Sequence, residues 1–117
     1  MPETAAEPIL TLQVECKGDC ALVHCHGRLI AEVSGNFYVR IHKLIPDHKR
    51  IVLDLTDLAH MDSMGLGALV RLLVSAKTSG CRLELINLGK KIKQLLGMTH
   101  LLGAFGAIGE QGITLGF

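Results

Sequence analysis
The stretch from Ile51 to Gly67, IVLDLTDLAHMDSMGLG, joins an apolar strand to the strongest helix in the chain and places a hydroxyl at the junction. Ile51, Val52, Leu53, Asp54 and Leu55 form a short β-branched and leucine run of the kind a buried strand needs. That strand is expected to stop near Asp54, with a loop over 56–61. Leu66, Leu69, Val70, Leu73 and Ala76 then recur at helical spacing, which predicts a helix from about Ser63 to Ser79 and a left-handed cap at Gly80. A strand feeding straight into a helix restricts the chain to α/β architectures. In open α/β sheets, ligands and partners gather where strands end and helices begin. Ser63 stands at such a place.

The other segments fit around this unit. Ile9 to Cys16 reads as a half-buried strand with Thr11, Gln13 and Glu15 on one face, and Lys17, Gly18, Asp19 as a turn into a second strand over 20–29. On that strand Ala21, Val23 and Cys25 share the face expected to meet the core, and Leu22, His24 and His26 share the other. Phe37, Tyr38, Ile41, Leu44 and Ile45 lie on one helical face, predicting a helix from Ser34, as N-cap, to Ile45, ended by Pro46. Arg82 and Glu84 alternate in a fourth strand, Cys81 to Ile86, followed by a basic helix, Lys90 to Leu96, with Ile92, Leu95 and Leu96 inward. The order strand, strand, helix, strand, helix, strand, helix predicts a mostly parallel sheet with an antiparallel N-terminal edge hairpin and packed helices.

A chain of 117 residues, 49% apolar, is expected to form a single domain with a real core. Residues 1–8 are expected to be a flexible N-terminus without the features of a secretory signal. About 106–117 form a glycine-rich C-terminal segment, read either as a closing strand or as a poorly ordered tail. The formal net charge of +1 and the near absence of aromatic residues argue against nucleic acid as a direct partner. The apolar stretch from Leu95 to Ile108 is too short to span a bilayer, so no membrane insertion and a cytoplasmic location are expected. Cys16, Cys20, Cys25 and Cys81 are then free, mostly buried thiols.

A serine at a helix start is, from position alone, first an N-cap. His24 and His26 share a strand face, but Cys25 points away and Cys16 and Cys20 flank a turn, so neither a metal nor any other cofactor is expected. Gly65 and Gly67 lack the lysine of a phosphate loop. No general base pairs with Ser63, and an enzymatic role is not expected.

The run from Ile51 to Gly67 resembles the STAS domain family, best known as bacterial anti-sigma factor antagonists, whose pattern is a strand ending in Asp, a short loop, then Asp, Ser, Ser or Ala, Gly, Leu, Gly. The resemblance extends to Gly27 with Leu29, to Gly80 with the strand after it, and to Ile92, Leu95 and Leu96, covering about residues 9 to 105. It implies a regulatory protein-binding module. Ser63 would be phosphorylated by an anti-sigma factor serine kinase and restored by a serine phosphatase, and the unphosphorylated form would bind the kinase. Asp62, Ser63, Met64, Gly65 and Leu66 would form the partner-binding surface, with Asp54 and Glu32 in support. Here Ile30 stands where many antagonists carry an acidic residue, and Met64 where they carry Ser or Ala. The alternative reading is a constitutive STAS subunit or scaffold, for example of a transporter ATPase, without phosphorylation. A weak homodimer is a further expectation.

Overall fold
The computed structural model describes residues 8–98, 108–109 and 112–113. Strands β1 (Leu10–Lys17) and β2 (Cys20–Leu29) form an antiparallel hairpin around Gly18 and Asp19. Helix α1 (Ala31–His42), a 3-10 turn at Ile45–Asp47, β3 (Arg50–Met61), α2 (Ser63–Thr78), β4 (Arg82–Ile86) and α3 (Lys90–Met98) follow. Two short strands, β5 (Ile108–Gly109) and β6 (Gly112–Ile113), complete a sheet of order β1-β2-β3-β4-β6-β5. β2, β3 and β4 are mutually parallel, and β6 runs antiparallel to β4. The architecture is thus the expected α/β sheet with an N-terminal antiparallel edge. Among the described residues, no helix is long and apolar enough to cross a membrane.

Parallel neighbours need crossovers, and α1 and α2 supply them on one face of the sheet. Ala21, Val23 and Cys25 of β2, Ile51, Leu53 and Leu55 of β3, and Leu83 and Leu85 of β4 form one buried cluster with Phe37 and Ile41 of α1 and Leu69, Leu72 and Ala76 of α2. Each fully buried Leu, Ile or Phe contributes about 1.5–3 kcal/mol, so this layer dominates stability. The face assignments on β2 hold: Leu22 and His24 are half-buried and His26 is exposed. Gly80 closes α2 at φ +73°, as expected.

Several boundaries differ from the sequence reading. β3 does not stop near Asp54; 56–61 is strand, not loop. Opposite β2, the register advances from His24↔Asp54 to His26↔Asp57, and from Gly27↔Leu58 to Arg28↔His60, so at two places β3 carries one residue more than its neighbour. Such bulges break the period of two. The inward residues become Leu55, Leu58 and Met61, three apart, which reads as irregular sequence.

Helix α1 begins at Ala31 rather than at Ser34, and it ends at His42. Ser34 lies inside it, buried, its hydroxyl donating to the Ala31 carbonyl at 3.1 Å. The N-cap position falls to Ile30, whose side chain caps nothing. Of the thiols, Cys25 and Cys81 are buried but Cys16 is exposed. Burial pushes the Cys25 thiol up to about 12, so it is inert. The expected N-terminal flexibility (1–8) lies almost wholly outside the described residues. In 106–117 only the backbone of β5 and β6 is described, and it is strand.

Candidate functional site
The site grows from the end of β3. Met61 is buried, and the next residue, Asp62, stays extended (φ −102°, ψ −177°) and serves as the N-cap of α2. Ser63 is therefore the first helical residue and not the cap. Asp62 is held through both its backbone and its carboxylate. Its N–H donates to the Leu29 carbonyl at 3.2 Å and its carbonyl accepts from the Leu66 N–H at 2.9 Å. Its Oδ1 accepts from the Gly65 N–H and its Oδ2 from the Ala31 N–H, both at 2.9 Å. One carboxylate thus satisfies orphan donors at the starts of two helices. The Gly65 N–H bond is the main reason that its carboxyl is held below the usual range; burial opposes this, and the Ala31 and Met64 N–H groups and His60 add to it.

Gly65 is required by contact. A methyl group built there would fall on the Leu29 carbonyl oxygen and within 2.8 Å of Leu29 Cγ. The helix start therefore sits directly on the end of β2, and no larger residue fits without moving it.

Of the expected site residues, Ser63 and Met64 are exposed, Met64 at 58%. The Ser63 hydroxyl has no hydrogen-bond partner among the described residues. Glu32 is exposed in the first turn of α1, next in sequence to the Ala31 N–H that Asp62 holds. Two expectations need correcting. Gly65 and Leu66 are buried, so they lie beneath the exposed Ser63 and Met64 and are not themselves on the surface. Asp54 is not at the strand end: the seven strand residues Leu55 to Met61 separate it from Asp62, a span of up to about 26 Å at ~3.3 Å per step.

Asp54 instead accepts from the Thr56 N–H at 3.0 Å, the Thr56 hydroxyl and Asn87 Nδ2 at 3.1 Å, and it faces His24. Burial raises its pKa, but these donors outweigh burial and hold it low. The sequence reading missed the Ala31 N–H, since backbone donors have no residue signature, and the meeting of His24 with Glu15 and Asp54. The shared face of Glu15 and His24 was the available signal for the second. Among the described residues, no group of three or more His, Cys, Asp or Glu is placed to hold a metal.

The STAS domain family model matches residues 11–110. The chain belongs to the STAS domain family. The STAS fold here is similar to that of a putative anti-sigma factor antagonist from Thermotoga maritima, at 24% identity and TM-score 0.72 over 77% of this chain and 79% of that one. An anti-sigma factor antagonist from Mycobacterium paratuberculosis matches at 18% identity and TM-score 0.74 over 83% of each chain. The STAS domain is also similar, at 17% identity and TM-score 0.63, to part of the murine anion transporter Slc26a9, covering 72% of this chain and 14% of that one. At these identities the likeness concerns the fold.

Proposed function
We propose that this STAS domain is an anti-sigma factor antagonist, a regulatory module without catalysis of its own. In this reading it binds an anti-sigma factor serine kinase through the exposed Ser63 and Met64 and is switched off by phosphorylation of Ser63. One observation carries it: an exposed serine hydroxyl opens α2 beside a carboxylate that already holds the helix N–H groups.

The arrangement supports a change of surface with an unchanged fold. A phosphate brings about −1.5 to −2 charges at neutral pH. At the N-terminus of α2 the helix dipole favours that charge, so the domain tolerates it. The neighbouring Asp62 repels it, and burying both under a partner without a cation is costly. A cost of roughly 3 kcal/mol lowers affinity more than a hundredfold. A serine phosphatase would restore the binding form.

The test is incubation with a cognate kinase and ATP, peptide mapping of the phosphate, and titration of the product against the kinase. Ser63→Ala is expected to bind permanently, and the phosphorylated domain more than about a hundredfold more weakly at near-native melting temperature. Equal affinity of the phosphorylated domain and Ser63→Ala would refute the switch. A constitutive subunit is the second reading, supported by Ile30, an apolar residue at the N-cap position of α1, and by the likeness to part of a transporter.

A further inference from the structure
Away from Ser63, on the face of the sheet opposite α1 and α2, His24 has both ring nitrogens engaged. Nδ1 lies 3.1 Å from Asp54 Oδ2 on β3, and Nε2 lies 2.7 Å from Glu15 Oε2 on β1. Carboxylates are acceptors only, so both contacts are hydrogen bonds only when both nitrogens carry a proton, as in imidazolium. The bond to Glu15 is the main influence raising the His24 pKa; burial opposes it, and Asp54 adds to it.

The two arms differ. The Asp54 side chain is 15% exposed and is fixed by Thr56 and Asn87. The Glu15 side chain is 51% exposed on the edge strand and has no second partner among the described residues. Among the described residues, other titratable or charged groups at outward positions of these strands are Lys17 on β1, Cys20, His26 and Arg28 on β2, Arg50 and Asp57 on β3, and Arg82 and Glu84 on β4. Arg50 donates to Glu84 at 2.8 and 2.6 Å, which matches those two charges.

We propose that His24 is a proton-operated clasp fastening the edge strand β1 to the centre of the sheet, closed on Glu15 while the imidazole is protonated and opened when the proton leaves to solvent. The neutral ring keeps one N–H. Asp54, held in place, retains it at Nδ1, and the bare Nε2 then faces the Glu15 carboxylate lone pair to lone pair, so Glu15 turns to water. Because the folded pKa lies above the unfolded value near 6.5, the clasp's contribution is complete below about 6.5 and is lost as pH rises through the folded value. The backbone ladder of β1 with β2 persists, so the loss is a faster local opening of β1.

The whole protein is followed by histidine side-chain NMR and by amide exchange, corrected for intrinsic rates, from about pH 5.5 to about pH 8.5. Protection of Leu10–Lys17 is expected to fall several-fold in step with the His24 titration, while that of Ile51 to Leu55 stays constant. Glu15→Gln should lower the His24 midpoint and abolish the pH dependence of β1, and His24→Asn should leave β1 at a pH-independent level. A His24 midpoint unmoved by Glu15→Gln, or β1 protection that does not follow the His24 titration, overturns the clasp.

Discussion

Asp62 Oδ2 accepts the Ala31 N–H at 2.9 Å across 31 positions of sequence, and its other oxygen accepts Gly65, so a single side chain starts both α1 and α2. Asp62→Ala should lower the melting temperature clearly more than Ser63→Ala, which removes a hydroxyl with no partner among the described residues. Asp62→Asn, with one acceptor oxygen left, should fall between them. Calorimetry of the three variants checks the order.

Gly65→Ala sets a methyl group against the Leu29 backbone, which cannot rotate away as a side chain would. The expected cost is about 1–3 kcal/mol, typical of overpacking, with the start of α2 displaced. Urea unfolding measures it; Gly67→Ala, where a methyl group meets nothing within 4 Å, is the control and should be no worse than wild type.

Glu84 is buried at 3% exposure in the centre of the sheet and takes two hydrogen bonds from Arg50. Arg50→Met leaves that carboxylate short of donors; among the described residues the remaining cation near it is Arg82, with Nε at 3.8 Å. Discounted for the half-exposed Arg50, the loss should be about 1–3 kcal/mol. Adding Glu84→Gln should recover part of it, and a double-mutant cycle reads the coupling.

Acid unfolding should depend on the carboxylates that organise the start of α2 and the sheet face opposite α1 and α2. Asp62 and Asp54 both have lowered pKa values. Their contribution is therefore complete above the unfolded carboxylate value of about 3.9 and is lost as pH falls through the lower folded values. Urea midpoints between about pH 2 and about pH 6 should fall less steeply in Asp62→Asn than in wild type.

The sequence carried the order of elements because the apolar periods of β2, α2 and α3 are regular and Gly80 marks a true left-handed cap. It misplaced the start of α1 because the cap of Ala31 comes from Asp62, a tertiary partner invisible to local pattern. It placed Asp54 at the strand end, in support of Ser63, because a strand with two bulges looks like a short strand followed by a loop. Ser63, Asp62 and Met64 were legible as one site since they are consecutive. Leu66 was assigned to the surface because helical spacing identifies an apolar stripe without saying whether core or partner covers it; here it is core.

The two bulges of β3 also make the aim of the site a matter of counting. Each bulge accommodates one extra residue between Asp54 and Met61, so losing one there would remove a bulge, and with it part of the bend and twist that lead β3 to Met61 and Asp62. Losing both would leave a regularly paired, straighter β3, without the bend that leads into Asp62 and the Gly65 contact with Leu29. Substitutions at the exposed Thr56, Asp57, Ala59 and His60 leave that count intact. Where Ser63 sits in space is fixed by how many residues lead up to it, and much less by which ones they are.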